Sequence, residues 1–414
     1  MNKRLTLSLS AVAVVSATAL SACSSSSSSS STASAGSSVA ATSGASQPTG
    51  SPITVEVITE LTSVSPAPED VAAAQAAADA VNASGGINGH PLKVISCDAG
   101  DGSSVTQAVN CARGLVSNSS VLAEVGDFEI AQDQVNTVLN AAKVPNIGPP
   151  PNGQSVLSSP NSFPLSGSEG ASIGIPLADA GAKKISVAYV NSPEAAAALP
   201  FTKAVLGVSR PGTTVLGGIP IDLTTTDLTP YVSKGATGDG VALAVIPSQL
   251  ASWLTVAKSG NFTQKLGVSG SSLAPAELKA LGSKADGLLV ASGLPLVTSS
   301  LPGIVKFRQQ MGQYASGQTL DAISLNGWLD AWAFAQVART ISGPVTRASV
   351  MSAFSSLTNF NVFGLLPPGF STTKDFAFPG LSRLFNQYTV EGVVKNGQLV
   401  QTSAGYVPVF TKQG

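Results

Sequence analysis

The sequence predicts an α/β fold built as two lobes, each a mainly parallel sheet flanked by helices. Short apolar runs alternate with helix patterns from residue 51 onward, a spacing typical of βαβ crossovers. A Pro/Gly/Ser-rich segment over residues 148–163 interrupts this alternation, which then restarts as a second, similar block. With 414 residues, the chain is long enough for two ordinary domains.

The N-terminus has the pattern of a secretory leader. A short basic region precedes an apolar stretch over residues 5–20, which is too short for a membrane span. Leu20-Ser21-Ala22-Cys23 closes the stretch, so residues 1–22 are a predicted signal peptide. The cysteine resembles the bacterial lipobox, in which the thiol is lipidated and becomes the mature N-terminus. We expect Cys23 to carry a lipid; the alternative is an ordinary cleaved signal with a chance cysteine.

A flexible tether is predicted over residues 23–50. This segment consists mainly of Ser, Ala, Thr and Gly, and it cannot bury enough apolar surface to fold. No later segment reaches a membrane-spanning length, so we expect the rest of the chain to be soluble. The net charge of -1, from 22 basic and 23 acidic residues, gives no electrostatic signature for nucleic acid or an acidic membrane.

In the first block, strands are predicted over residues 53–58, 92–96, 121–125 and 144–147, and helices over residues 68–84, 105–116 and 130–142. The first helix begins at Pro68, a good first-turn residue, and ends in the stretch Gly85-Gly86-Ile87-Asn88-Gly89. Glycine adopts the left-handed conformation without a Cβ penalty, so this stretch predicts a sharp turn. Pro91 then suits the first residue of a strand.

In the second block, strands are predicted over residues 184–190, 214–221, 241–246, 266–268 and 288–291, and helices over residues 170–180, 193–208 and 248–258. A helical region follows over residues 304–313, 326–341 and 346–355. Trp328 and Trp332 lie near one face of its middle helix, which predicts core packing. Near the C-terminus, Asn396-Gly397 separates two alternating runs and predicts a β-hairpin.

Chemically reactive residues are scarce. Cys97 and Cys111 would form a disulfide in an exported protein; the alternative is two small buried hydrophobic residues. His90 is the only histidine, and we expect it on the surface of a turn. A zinc site is therefore unexpected, and no phosphate-binding loop, nucleophile elbow or metal-spaced pair is present in the sequence. We predict a protein that is not an enzyme, with no catalytic residue, metal or cofactor.

A ligand cleft is predicted at the carboxyl ends of the strands, where ligands of parallel α/β lobes bind. Several loops at these ends are rich in Ser, Asn, Pro and Gly, and several begin helices whose free N–H groups can hold an acceptor. The predicted ligand-binding residues are Glu60, Thr62, Asp127, Phe128, Glu129, Pro150, Asn152, Asn191, Ser192, Ser248, Gln249, Ser292 and Leu294.

The chain resembles the class I solute-binding proteins of bacterial ABC uptake systems, the group that includes the Leu/Ile/Val-binding receptors. The resemblance rests on the helix over residues 72–82 that leads into Gly85-Gly86-Ile87-Asn88-Gly89, on the strand that ends at Cys97-Asp98, and on the late helix over residues 326–342. It extends from residue 53 to the C-terminus. It implies a periplasmic-binding-protein-like fold of type I, with a hinge of three crossovers.

The resemblance also implies a domain division and a function. Residues 51–163 and 301–366 would form the first lobe, and residues 164–300 and 367–414 the second. The protein would be a monomeric receptor on the extracellular face of the cell membrane, attached through its lipid alone. It would capture a small polar organic ligand, such as an amino acid or an amide, and deliver it to the permease of an ABC importer. Alternatives are a sensory module that reports to a surface partner, and a secreted hydrolase.

The candidate ligand loops depart from the amino-acid-binding members of this group. The loop after the third strand offers Asp127-Phe128-Glu129, where those members usually offer a small hydroxyl residue. The next loop contains Pro149-Pro150-Pro151-Asn152, and the second lobe offers Asn191-Ser192-Pro193 where an aromatic residue is usual. No acid lies near residues 292–294 to pair with a ligand amino group. Asp127 or Glu129 could take that role from the other lobe.

Overall fold

The computed structural model describes residues 47–63, 66–102 and 104–411. The predicted signal peptide, Cys23 and the predicted tether as far as residue 46 lie outside these ranges. The described residues form two mainly parallel sheets flanked by helices, which confirms the predicted fold class.

The first sheet has five parallel strands in the order β2-β1-β3-β4-β5. The strands are β1 (Ile53–Thr59), β2 (Leu92–Asp98), β3 (Val121–Val125), β4 (Asn146–Ile147) and β5 (Ser162–Phe163). The connecting helices are α1 (Pro68–Ala83), α2 (Val105–Ser117), α3 (Gln132–Ala141) and α4 (Gln154–Ser158). The interruption over residues 148–163, a candidate hinge or domain crossover, contains α4 and β5, and β5 extends the sheet through its pairing with β4.

The second sheet has a parallel part and an antiparallel edge, in the order β12-β11-β10-β9-β8-β6-β7. The parallel strands are β6 (Lys184–Val190), β7 (Thr214–Ile221), β8 (Gly240–Ala244), β9 (Lys265–Ser269) and β10 (Leu289–Ser292). The antiparallel strands are β11 (Tyr388–Lys395), β12 (Gln398–Gln401) and the short β13 (Val407–Pro408). Asn396 and Gly397 join β11 to β12 with φ of 53° and 69°, which confirms the predicted hairpin.

The helices associated with the second sheet are α5 (Glu169–Ser172), α6 (Gly174–Asp179), α7 (Pro193–Ala196), α8 (Ala198–Ser209), α9 (Thr229–Gly235), α10 (Pro247–Ser259) and α11 (Pro275–Leu281). The continuous helices predicted over residues 170–180 and 193–208 are each divided in two. Pro200 explains the second division, because proline is tolerated only in the first turn of a helix and α8 therefore restarts at Ala198. The sequence pattern did not reveal α9 and α11.

Three helices after β10 are α12 (Pro302–Tyr314), α13 (Ala322–Ala338) and α14 (Arg347–Phe354). Helix α13 is buried on nearly all sides and packs against α1, largely through alanine side chains. A Cβ at Gly327 would lie 2.3 Å from the Asp70 Oδ1 atom, so the close approach of these two helices requires glycine. Trp328 and Trp332 are buried in this core, as predicted, and both indole N–H groups donate to Gln310 Oε1.

The Gly-rich turn lies between α1 and β2, at the amino end of the first sheet. Gly85, Gly86, Asn88 and Gly89 all have positive φ, as the turn prediction required. His90 is exposed, and its Nδ1 atom lies 2.8 Å from the Ser51 carbonyl oxygen. The turn therefore has a structural role at the sheet edge opposite to the carboxyl ends of the strands.

A disulfide joins β2 to α2. Cys97 and Cys111 are bonded, with their Cα atoms 5.7 Å apart, which confirms the predicted pairing. The next residue, Asp98, accepts hydrogen bonds from the backbone N–H groups of Leu61 and Gly100. The disulfide therefore anchors the carboxyl end of β2, where Asp98 holds the loop after β1.

Candidate functional site

A cavity of about 750 Å³ lies between the carboxyl ends of the two sheets. The first sheet contributes Phe128 after β3 and Pro150–Asn152 after β4, and the start of α13 contributes residues 320–326. The second sheet contributes the ends of β6 and β8 and the segment 269–273 after β9. Residues 166–167 and 292–298 complete the wall where the chain passes between the sheets. The size is typical of a small-molecule site.

Five of the predicted ligand-binding residues line this cavity. They are Phe128, Pro150, Asn152, Ser292 and Leu294. The other eight are not part of its lining: Glu60, Thr62, Asp127, Glu129, Asn191, Ser192, Ser248 and Gln249. No ligand is bound, so ligand contact at each of the thirteen positions stays a prediction.

The acids on either side of Phe128 are buried and are not part of the cavity lining. Asn146 Nδ2 donates to Asp127 Oδ2 at 3.4 Å, and both residues are buried, as is Glu124. Burial raises the pKa of Asp127 to about 6. Burial and the neighbouring Asp127 carboxylate raise the pKa of Glu129 well above its usual value. Neither residue lines the cavity, and ligand contact at both stays a prediction.

The remaining predicted residues outside the lining hold loops together. Glu60 Oε1 accepts from the Ile130 N–H at 3.0 Å, and Thr62 Oγ1 donates to Asp98 Oδ2 at 3.0 Å. In the other sheet, Asn191 Nδ2 donates to Asp222 Oδ1 at 2.7 Å, and Gln249 Nε2 donates to the Asp222 carbonyl oxygen at 3.0 Å.

The two serines among these residues take part in local helix contacts. Ser192 Oγ accepts from the Ala195 N–H at 3.2 Å, and the Ser248 carbonyl oxygen accepts from Ser252 Oγ at 3.0 Å. The first bond satisfies a free N–H group at the start of α7, and the second is a hydroxyl bond back to the carbonyl four residues earlier within α10.

Glu169 is the main cavity residue that the sequence reasoning missed. Its Oε1 atom accepts from Ser292 Oγ at 3.3 Å and from the Gly293 N–H at 3.2 Å. Its Oε2 atom accepts from Ser269 Oγ and from the Ser271 N–H, the latter at 3.1 Å. The sequence signal was Ser168-Glu169, a helix N-cap followed by an acid, directly after the Pro/Gly/Ser-rich segment.

Asp321 was also missed, because α13 was predicted to begin at residue 326. Its carboxylate accepts from the Ser324 N–H at 2.9 Å, and Ser324 Oγ accepts from the Asp321 N–H at 2.9 Å. Burial raises the pKa of Asp321. This reciprocal cap closes the N-terminus of α13 at the cavity wall and satisfies its free N–H groups.

Residues 52–384 match the family model described as periplasmic binding protein. The chain belongs to this family. No curated protein matches this binding protein in sequence. Family membership makes it a binding protein and not an enzyme, as predicted.

Solved structures similar to the binding protein share its fold. A fatty acid ABC transporter substrate-binding protein from Thermomonospora curvata is 21% identical, over 89% of this chain and 98% of that chain, with a TM-score of 0.70. A leucine-binding protein from Thermotoga maritima is 16% identical, over 85% and 98%, with a TM-score of 0.66. A solute-binding protein from R. palustris, in complex with 4-hydroxybenzoate, is 16% identical, over 87% and 98%, with a TM-score of 0.68. The likeness to the Leu/Ile/Val-binding group is confirmed.

The cavity of the binding protein is mainly apolar. Among the lining residues that the structure describes, only Glu169, Lys279 and Asp321 are ionisable, and Lys279 is exposed at the rim. The composition of the loops predicted a more polar site. The site is less polar because the ends of strands and helix α11 also line the cavity, and they contribute apolar side chains.

Within residues 47–63, 66–102 and 104–411, no group of three or more His, Cys, Asp or Glu side chains is placed to hold a metal ion. Among the helices of these same ranges, none is both long and apolar enough to cross a bilayer.

Proposed function

We propose that this binding protein is a lipid-anchored extracellular receptor that captures a small organic solute between its lobes and delivers it to an ABC importer. The cavity between the carboxyl ends of the two sheets carries this proposal. Ligands of α/β sheets bind at these ends, where loops of both sheets can contact one molecule. Family membership supports the same role.

The proposed lobes are joined where three segments of the chain lie side by side. Asn386 Nδ2 donates to the Leu165 carbonyl oxygen at 3.0 Å and to the Gly293 carbonyl oxygen at 3.3 Å. The Gly167 N–H also donates to the Gly293 carbonyl oxygen, at 3.0 Å. A Cβ at Gly167 would lie 2.1 Å from the Tyr388 carbonyl oxygen, so these segments pack too closely for a larger residue. Such short parallel crossings can serve as a hinge.

We propose a first lobe of residues 51–163 with 301–385 and a second of residues 164–300 with 386–414, so that the last crossing lies at Asn386 instead of the expected residue 366. Support comes from Phe370 and Phe385, which are buried in the core of the first sheet. Arg383 likewise donates to the Ser162 carbonyl oxygen, at 3.0 Å. The ligand would favour lobe closure by its differential affinity for the closed form.

The ligand-binding part of the proposal can be tested by a thermal-shift screen. The screen should include the small polar ligands expected from the sequence and the ligands named for the similar structures. These are amino acids, amides, ureas, aromatic acids, fatty acids and small peptides. A ligand at about 100 times its Kd adds about 2.7 kcal/mol of stability by mass action. If the folded protein shows no rise in melting temperature with any class, the receptor proposal is wrong.

The anchoring part rests on Cys23 and the tether of residues 23–50. We expect Cys23→Ser to release a monomeric protein into the medium, while the wild-type chain stays with the membrane fraction and incorporates a labelled fatty acid. Ser21→Thr, which keeps the cysteine, is the control. Equal membrane retention of wild type and Cys23→Ser would contradict the anchor. Covalent cross-linking in cells to a permease, and not to a sensor kinase, would distinguish transport from sensing.

A further inference from the structure

The cavity extends beyond the space between the two sheets. The extension, which we call the arm, is lined by α11 and by residues that adjoin the second sheet. One wall of the arm is α11, through Pro275, Leu278 and the adjoining Gly282. The opposite wall is the segment 294–298, and the far end is formed by residues 397–399 at the β11–β12 turn. These residues line the same cavity as Phe128 and Asn152, so the arm is continuous with the cleft.

The length of the arm follows from the course of α11. This helix begins at Pro275, next to the carboxyl end of β9, and runs back toward the amino end of β10. From Pro275 to Gly282 the rise is about 10 Å, at 1.5 Å per residue. An extended alkyl chain advances roughly 1.3 Å per carbon, so the arm accommodates on the order of eight methylene groups.

The walls of the arm favour an apolar occupant. Leu278, Leu296 and Leu399 belong to one apolar cluster and are only 8%, 3% and 7% exposed, so a chain that parted them would be largely removed from water. The Thr298 hydroxyl near them already donates to the Leu399 carbonyl oxygen at 2.7 Å. A polar group buried between the leucines would lose its water without gaining a partner there.

The cleft end of the cavity disfavours an ammonium group. The two oxygens of a carboxylate offer about four lone-pair positions. In Glu169 these positions receive four donors from the protein itself: two serine hydroxyls and two backbone N–H groups. Asp321 Oδ1 accepts from Ser324 in the cap of α13. An ammonium could therefore hydrogen-bond to Glu169 only by displacing one of these four donors.

The same end offers groups that suit a carbonyl oxygen. The side-chain amides of Asn152 and Asn326 line the cavity there and are able to donate hydrogen bonds. Ser166 adds a hydroxyl to the same wall. These donors line the same cavity as Leu278, Leu296 and Leu399, so one ligand can present a head to them and a chain to the leucines.

We infer that the ligand of this receptor is a linear amphiphile: an unbranched apolar chain held in the arm and a head with a carbonyl oxygen, without an ammonium, held in the cleft. The inference rests on the proposed receptor function and adds the chemical class of its solute. A carboxylate and a primary amide both present an acceptor oxygen, but the carboxylate adds a negative charge near Glu169 and Asp321 and the amide adds N–H donors, and the experiment separates them.

The test is a chain-length series measured by calorimetry on the delipidated protein, expressed from the residue after Cys23. Linear carboxylates and linear primary amides of about four to about twelve carbons bracket the arm. We expect Kd to tighten about fourfold for each added methylene until the arm is filled, and then to level off. The head series with the tighter binding identifies the head group. Free leucine serves as the zwitterionic comparison and should bind more weakly than a linear acid of equal carbon number.

Leu278→Trp and Leu281→Trp form a matched pair of variants. Both leucines lie on α11 and are 8% and 7% exposed, but only Leu278 lines the cavity. We expect Leu278→Trp to raise the Kd for long-chain ligands at least tenfold and to leave the Kd for short-chain ligands unchanged. Leu281→Trp should show the same dependence of Kd on chain length as the wild type. Leu278→Phe and Leu281→Phe replace the pair if the tryptophan variants fail to fold.

The possible outcomes distinguish failure of the inference from failure of the receptor proposal. A Kd independent of chain length, or leucine binding more tightly than the linear acids, would overturn the amphiphile inference and leave the receptor proposal intact. Equal effects of Leu278→Trp and Leu281→Trp on the length series would likewise remove the arm as the binding site. No binding of any amphiphile, and no hit in the wider solute screen, would overturn both.

Discussion

Reduction of the Cys97–Cys111 disulfide should lower the stability of the first sheet's domain selectively. The bond closes a loop with a sequence separation of 14 between β2 and α2. For a loop of this size, the chain-entropy model gives a loss of about 10 cal/mol/K in the unfolded state, or about 3 kcal/mol at 25 °C. That value is a large fraction of the stability of an ordinary domain. We therefore expect the free energy of unfolding of this domain to fall by about 3 kcal/mol.

The three tryptophans of the chain allow the two domains to be followed separately. Trp328 and Trp332 are buried in the core of the first sheet, and Trp253 is buried in that of the second. Urea unfolding followed by fluorescence in Trp253→Phe reports the first core, with and without reductant. A Cys97→Ala/Cys111→Ala variant is the control, because reductant should not change its midpoint. An unchanged midpoint of the first transition after complete reduction would refute the reasoning.

Three further predictions concern stability. Gly148→Ala would place a Cβ 1.9 Å from Asp330 Oδ1 at a φ of +81°, so we expect a loss of about 1–3 kcal/mol in urea unfolding. Gly312→Ala in open space on α12 should instead gain about 0.5–1 kcal/mol, and equal effects of the two substitutions would contradict this account. Burial raises the pKa of Glu56 from 4.5 to about 7, so the folded state binds its proton more tightly. The resulting stability is complete below about pH 4.5 and is lost as the pH rises through about 7; the melting temperature should therefore fall between pH 5.5 and 7.5, and less steeply in Glu56→Gln. The Arg383 guanidinium lies 4.9 and 4.5 Å from two phenylalanine ring centroids, so Arg383→Lys should not restore the stability lost in Arg383→Ala.

The ends of individual elements were predictable wherever a local signal was strong. The runs over residues 184–190 and 214–221 form strands with the predicted bounds, and the Asn-Gly pair forms the predicted hairpin. Errors occurred where short elements depend on distant partners. The two-residue strand β5 exists because it pairs with β4, and α9 and α11 are amphipathic segments of only seven residues each.

The candidate site was predictable in position but not in its walls. The sequence by itself determined the order of strands and helices, because apolar periodicity and turn residues are local properties of the chain. It thereby also determined that the loops at the carboxyl ends of the strands would meet at one edge of each sheet. Phe128, Asn152 and Ser292 accordingly line the cavity.

Only the tertiary structure decided which side chains of those loops face the cavity. Asp127 and Glu129 flank Phe128 in the chain, yet both acids are buried, and of the three residues only the phenylalanine lines the cavity. Glu169 receives its donors from residues about 100 positions away, and the arm arises where α11 lies opposite the segment 294–298. Such contacts depend on packing between elements distant in sequence, for which no local pattern carries a signal.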